Sequence, residues 1–453
     1  MILACMWAGL VPAIAEADVP AATLQTYVEV VDPRVVLRPQ RRQILSPDAF
    51  TAAADVPIFQ PDRAQIMLFT SGTTGTPKAV VLPEKSFTAV PDLIRTAELD
   101  WITWTREDVA YAPLPSSHIG GLWWVFNSLA VGCHAVTGSS YDLVSTMAAW
   151  QVTITCMVPT LLGIIAEAVS GDAQLPSSLR LIVYGGSRAV SKDVRAIEHR
   201  GVCTAQIYGL SETGCTALCL PTQKDVAGTG KSSLELIVDG CVGQPYPGVQ
   251  LYVVADSQAF PADTRDLQED FSGLHPSSED EGTLWIRTPA RMLHYHGDAE
   301  KTASVLRDGW INTGDRVRVK KLPGSNTPLV YLRGRSSDLI ICGGANVNPD
   351  DVDSLALTIP GVADAAAFAV PDDAFGELVG LAIVPADDPP ESVPTQDGQH
   401  KALIRRVAKE FRLAVSKEAR PAVMWMVDEI PRTASGKVTR KELTHRWMEK
   451  EAP

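Results

Sequence analysis

At 453 residues the chain is too long for one ordinary core, and at least two domains are expected. A formal net charge of -13 argues against non-specific binding to nucleic acid, which takes a basic surface. No apolar run reaches the roughly 18–20 residues that cross a bilayer, so integral membrane association is not expected and the cytoplasm is the expected compartment. The eight cysteines are scattered through apolar segments without C-x-x-C pairs, as buried free thiols in a reducing compartment would be. Cys215 and Cys219 lie nearest each other, but no second Cys/His pair accompanies them and zinc is not expected.

The first 17 residues are apolar and end near an Ala-x-Ala, yet lack the basic start of a signal peptide. They read as a buried helix, a Gly-containing turn and a strand. Residues 66–78, IMLFTSGTTGTPK, then run an apolar strand into Thr70, Ser71, Gly72, Thr73, Thr74 and Gly75, followed by Thr76, Pro77 and Lys78. Such a loop suits a polyphosphate: glycines let the backbone approach an anion, successive N–H groups share one concavity, hydroxyls add donors and the lysine adds charge. It is not the phosphate loop of nucleoside triphosphatases, where Gly-Lys-[Ser/Thr] opens a helix. The following KAVVLPEKSF reads as a strand, so the loop is expected to link two strands. The alternative is a Gly/Thr-rich hairpin with no ligand.

Further along, apolar strand-like runs alternate with amphipathic stretches, the pattern of an α/β layer architecture. LRLIVYGG (179–186) suits a buried parallel strand whose end opens a ligand crevice, and TAQIYGLSETG (204–214) repeats that design. Residues 253–282 are acidic, irregular and Ser/Pro-containing, and a mobile surface loop is expected there. Residues 310–315, WINTGD, read as a strand ending on an aspartate. The chain is expected to cross into a smaller domain within YLRGRSSDLIICGG (331–344), with a helix start at Asn348-Pro349-Asp350-Asp351, an exposed loop over 385–398 and a helix over about 399–416.

Five strings in this order resemble the signatures of the adenylate-forming superfamily: the 70–78 loop; Tyr208-Gly209-Leu210-Ser211-Glu212-Thr213-Gly214; Trp310 to Asp315; Gly334-Arg335; and Pro431 to Lys437, PRTASGK. The resemblance spans nearly the whole chain. It implies an α/β, acyl-CoA synthetase-like fold: a large multi-subdomain adenylation domain (1–335), lacking a typical first part, and a small α+β lid domain (336–453). Either the chain is a fragment, or its start is misassigned, or the subdomain is shortened. It also implies ATP and Mg²⁺ as cofactors.

Joining a carboxylate to ATP brings an anionic oxygen to an anionic phosphorus, so charge repulsion is the main obstacle. By the resemblance, Thr70 to Gly75 and Lys78 hold the polyphosphate, Tyr208 stacks on adenine with Gly209 beside it in the nucleotide site, and Glu212 holds Mg²⁺. Thr213 contacts the α-phosphate, Asp315 holds the ribose, Arg335 reaches ribose or phosphate, and Lys437 bridges the carboxylate and α-phosphate. Gly185, Gly186 and Ser187 resemble a loop that touches adenine and acyl chain. The interdomain hinge falls on Ser337, where relatives often carry Asp or Lys.

The acid pocket of relatives corresponds to residues 112–124, APLPSSHIGGLWW. No aspartate near His118 is present to pair with an α-amino group, so an apolar acid fits better. His118, Gly120, Trp123 and Leu210 are candidates to line that pocket; core packing for the tryptophans and a structural role for His118 are the alternatives. These strings are similar to those of fatty acyl-AMP ligases that load a carrier protein in actinobacterial isonitrile lipopeptide biosynthesis. The resemblance therefore implies a fatty acid as substrate and an acyl carrier protein as acceptor. A fatty acyl-CoA ligase using free CoA is the nearest alternative, and a non-catalytic acyl- or nucleotide-binding pseudoenzyme the alternative of another class. Residues 400–420 carry Lys401, Arg405, Arg406, Lys409, Arg412, Lys417 and Arg420 against Glu410 and Glu418, a basic segment suited to a carrier protein or the CoA 3′-phosphate, or simply a solvated helix.

Overall fold

The computed structural model describes residues 2–7, 9–16, 19–36, 59–70, 77–89, 104–138, 142–187, 189, 191–221, 240–255, 258–264, 267, 273–275, 280–321, 328–335, 338–386, 396–433 and 436–451. Contacts divide the chain into a large unit and a small one, the small one comprising Glu281–Thr283, Gly314–Arg318 and Leu332–Pro453. No helix of the described residues is long and apolar enough to cross a membrane.

Two sheets carry the large unit, and the second also includes residues 281–283, 314–318 and 332–335, which group with the small one. In the first, Ala64–Thr70 runs antiparallel to Lys78–Pro83, with Thr70 directly opposite Lys78. Ala13–Ile14 adds a parallel edge and His294–Tyr295 an antiparallel one. The expected pair of strands around residues 71–76 is therefore present, although those six residues lie outside the described ones. The first residues form the helix Ile2–Trp7, a turn at Gly9 with φ 73° and the strand Ala13–Ile14. In the helix Met6 is buried but Ile2 and Cys5 are only partly so.

The second sheet begins with five parallel strands in the order His134–Thr137, Val109–Ala112, Ile154–Met157, Leu181–Gly185 and Cys203–Tyr208. Leu181 to Tyr184 are buried, as strands covered on both faces must be. Leu218–Pro221 and Cys241–Pro245 follow antiparallel, and the order continues through Pro328–Arg335, Trp310–Lys321, Glu281–Arg287, Gln250–Val254 and Gly273–Leu274. A core of Leu162, Ile165, Val169, Ile182, Tyr184, Val194 and Ile197 packs the helices Pro159–Ser170 and Ser191–Glu198 on this sheet.

Two expectations change here. Within 253–282 the described residues are not all surface: Phe260 and Leu267 are buried with Tyr252, Val254, Trp285 and Trp310, and the Phe260 ring stacks on Trp285 at 3.9 Å. Acidic flanks hid these apolar anchors. The strand expected to end at Asp315 runs on to Lys321, with Gly314 at φ 70° inside it. The Thr-Gly-Asp punctuation reads as a turn locally, yet it is absorbed within a long sheet strand.

The small unit is a hairpin of Val362–Asp372 and Gly376–Pro385, reversed where Asp372 Oδ1 accepts from the Ala374 and Phe375 N–H groups. Ile340–Cys342 and Ala345–Val347 extend it antiparallel, and Val423–Met426 joins it in parallel. Leu403, Val407 and Phe411 of the helix Gln396–Ala414 are buried against it with Val352 and Ala356 of the helix Pro349–Leu357. The latter starts as expected, with Asn348 Oδ1 accepting from the Asp350 N–H at 3.1 Å and Pro349 in the first turn. All eight cysteines are free and six of them are buried.

Candidate active site

In the large unit, the parallel strand Cys203–Tyr208 ends on a buried tyrosine and turns sharply. The Thr213 and Cys215 N–H groups both donate to the Leu210 carbonyl at 3.2 Å, and the Leu210 N–H donates to Thr213 Oγ1 at 2.8 Å. The Thr213 hydroxyl in turn lies 3.0 Å from the Leu210 carbonyl, and Thr213 is wholly buried. Thr213 thus serves the turn, and the turn presents Glu212.

Gly209 has no room for a side chain: an added Cβ would sit 1.5 Å from the Cys215 carbonyl oxygen. Gly209→Ala is expected to open this turn and lower whole-chain stability by about 1–3 kcal/mol, read as a fall in the thermal midpoint. An unchanged midpoint would show that the turn relaxes without cost.

Glu212 Oε1 accepts from the Tyr295 hydroxyl at 2.6 Å, a charge-assisted bond between residues 83 positions apart. Tyr295 is almost buried, and burial with the Glu212 charge holds its hydroxyl firmly protonated, pushed well above the usual phenol range. Lys78 Nζ sits 5.7 Å from the centre of the same ring. Burial pushes the Lys78 ammonium below its usual range and Lys301 adds to this, while Glu212 and Asp298 oppose it. The structure therefore gathers two sequence-predicted residues, Lys78 and Glu212, around a third, Tyr295, that the sequence reading missed.

The strand Leu181–Gly185 ends beside this one. A Cβ on Gly185 would meet the Ile207 carbonyl oxygen at 2.5 Å, so the glycine permits the close strand approach; Gly186 follows at φ 91°, and Ser187 is half-buried.

His118 precedes the helix Ile119–Val131. Its Nε2 is 3.0 Å from Glu16 Oε1 but without hydrogen-bond alignment. Gly121 is dictated by packing, since a Cβ there would lie 2.4 Å from the Leu114 carbonyl oxygen; at Gly120 the nearest neighbour, Leu114 Cδ1, stands 3.4 Å away. Trp123 and Trp124 are buried in an aromatic cluster with Trp104, ring centres 6.4 and 4.4 Å from it.

In the small unit, Asp315 is buried and accepts from Arg335 Nε at 2.9 Å. These two residues, expected to contact the nucleotide, form one ion pair. Gly334, at φ 86°, lies where a Cβ would meet Asn348 Oδ1 at 2.2 Å. Lys437 is half-buried in a loop closed by backbone bonds, Thr433 N–H to the Lys437 carbonyl and Gly436 N–H to the Thr433 carbonyl, both 2.8 Å. Arg432 grips both oxygens of Asp364 at 2.8 and 3.0 Å and holds the base of that loop. Ser337 lies outside the described residues.

The AMP-binding enzyme family model matches residues 1–296, and the AMP-binding enzyme C-terminal domain matches 351–437. The chain belongs to the AMP-binding enzyme family. It is 41% identical to the fatty acid–[acyl-carrier-protein] ligase MmaC of Mycobacterium marinum, over 98% of this chain and 84% of that protein. It is 40% identical to the medium/long-chain-fatty-acid–[acyl-carrier-protein] ligase FadD10 of Mycobacterium tuberculosis, over 98% of this chain and 82% of that one. Its fold matches that of ATP-bound MatB from Rhodopseudomonas palustris at a TM-score of 0.78 and 22% identity, covering the whole chain and 86% of that structure.

Tyr295 is the residue of this site that the motifs singled out above did not include. The residue stands in LHYH, an edge strand, and its pairing against Val80 brings it to Glu212. The strand-like character of GTLWIRTPARMLHYH (282–296) was the available sequence signal.

Proposed function

We propose that the protein uses ATP and Mg²⁺ to activate a medium- or long-chain fatty acid as its acyl adenylate and then loads the acyl group onto the phosphopantetheine thiol of an acyl carrier protein. The observation that carries this reading is the 40–41% identity, over 98% of the chain, to ligases named for that substrate and acceptor. In the first step a carboxylate oxygen attacks the α-phosphorus, the bond to the β-phosphate breaks and pyrophosphate leaves. In the second the pantetheine sulfur attacks the acyl carbon, AMP leaves with the bonding pair, and the thiol proton passes to solvent. Both steps belong in the cytoplasm, where ATP and carrier proteins are found.

Residues 1–335 form the adenylation domain in this reading and 336–453 its lid, with Ser337 at the hinge. The loop from Thr70 through Gly75 and Lys78 holds the departing pyrophosphate, Tyr208 stacks on adenine, and the Asp315–Arg335 pair receives the ribose. Lys437 meets the charge that develops between carboxylate and α-phosphate. Gly185, Gly186, Ser187, Leu210, His118, Gly120 and Trp123 lie along the path of adenine and acyl chain.

Glu212 is the candidate Mg²⁺ ligand. One carboxylate, with one oxygen steadied by a phenol, suits a cation that takes one or two protein carboxylates and completes its octahedron with phosphate and water. Bound there, Mg²⁺ would neutralise phosphate charge. Tyr295 orients the carboxylate, so Tyr295→Phe is expected to cut carboxylate-dependent pyrophosphate exchange about tenfold and raise the Mg²⁺ concentration needed for half-maximal rate. An unaltered Mg²⁺ requirement would confine Tyr295 to packing.

The reading is tested by carboxylate-dependent exchange of labelled pyrophosphate into ATP, followed by parallel transfer to a holo carrier protein and to CoA. Preference for CoA overturns the acceptor. Absence of exchange by folded protein overturns the enzyme and favours a binding module.

A further inference from the structure

We infer that the outer face of the helix Gln396–Ala414 is the docking surface for the acidic carrier protein. The inference rests on the carrier-protein acceptor proposed above. Lys401, Arg405, Lys409 and Arg412 recur at intervals of four, four and three and are all exposed. At about 100° per residue they fall within an arc of about 80°, a stripe about 16 Å long. Leu403, Val407 and Phe411 hold the opposite face in the core.

Two neighbouring arginines are otherwise engaged, which sets them apart from Arg405, Lys409 and Arg412. Arg406 donates to the Pro360 carbonyl at 2.6 Å. Arg420 donates to the Arg412 and Val415 carbonyls at the helix C-terminus, where a cation belongs. Among the described residues no carboxylate pairs with the side chains of Arg405, Lys409 or Arg412. Leu413, 76% exposed, adds an apolar contact at the end of the stripe.

A concentrated basic face on a chain of net charge -13 meets its complement in a partner with a row of carboxylates. The 3′-phosphate of CoA would engage one or two of these groups, not a stripe three turns long. An anionic membrane surface would call for the helix to insert its apolar face, and here that face is already buried.

The test is the triple variant Arg405→Glu, Lys409→Glu, Arg412→Glu in the full chain, with three readouts: pyrophosphate exchange, acyl transfer to free pantetheine, and acyl transfer to an acidic holo carrier protein. Exchange and transfer to pantetheine are expected to stay within about twofold of wild type, while kcat/KM for the carrier protein falls about tenfold or more. Wild-type transfer to the carrier protein is also expected to weaken with added salt, and transfer to pantetheine is not. Unimpaired carrier loading by the triple variant overturns the inference, as does an equal loss with free pantetheine. A wild-type enzyme that exchanges pyrophosphate but loads no carrier protein overturns the acceptor reading itself and this surface with it.

Discussion

Lys437→Ala is expected to lower carboxylate-dependent pyrophosphate exchange about 10²–10³-fold, equivalent to about 3–4 kcal/mol of transition-state stabilisation, without unfolding the small unit. The reaction forces two anions together, so a cation at the reacting oxygens is the group whose removal costs most. The loop that carries Lys437 is closed by main-chain atoms: its carbonyl accepts from the Thr433 N–H at 2.8 Å, and its own N–H donates to Thr433 Oγ1 at 3.2 Å. Alanine retains both bonds, so thermal unfolding is expected to match wild type. Lys437→Arg keeps the charge on a longer planar group and is expected to recover little. Exchange by Lys437→Ala at the wild-type rate would move the charge-stabilising role elsewhere, with Lys78 the next candidate.

Much of this arrangement was legible because it is local. The apolar run ending in Gly185-Gly186 could only be a covered strand, and the two strands flanking the Thr70 to Lys78 loop announced themselves by burial pattern. The helix start at Asn348-Pro349 follows from one side chain and one fixed dihedral. What escaped depends on pairing between distant segments. Tyr295 meets Glu212 because an edge strand lies beside Lys78–Pro83, and Phe260 is buried because Trp285 and Trp310 offer a surface to stack on. Asp315 looked terminal because Thr-Gly-Asp is turn chemistry, whereas sheet pairing carries the strand through it. Gly209 and Gly185 show the limit from the other side: the motif marks the glycine, but only the carbonyl facing it supplies the reason.

The strongest of these long-range devices is Arg440, which follows Lys437 by three positions and begins the last helix, Arg440–Glu451. Its guanidinium bonds Asp350, Asp353 at 2.7 Å and the Ala367 carbonyl at 2.7 Å, tying that helix to the helix Pro349–Leu357 and the sheet at once. Arg440→Met is expected to destabilise the small unit by about 3–5 kcal/mol at pH 8, because it strands a buried carboxylate. Burial already pushes the Asp353 carboxyl up to about 6, with Arg440 pulling the other way. Without that pull the folded-state pKa rises further above the unfolded value, so the folded variant binds a proton more tightly than its unfolded chain. Its stability is then lost as pH rises from the unfolded pKa, near 4, through the raised folded pKa, and is regained on acidification. Hydrogen exchange of the Arg440–Glu451 amides in the full chain reads this locally: opening is expected to be much faster at pH 8 and, once corrected for intrinsic exchange, closer to wild type at pH 5. Asp353→Asn added to Arg440→Met is expected to remove that pH dependence. Equal protection of Arg440→Met and wild type at pH 8 would mean that the helix is held by Leu443 and Trp447 packing on Phe368 instead, and that the Lys437 loop takes its position from Arg432 and Asp364 alone.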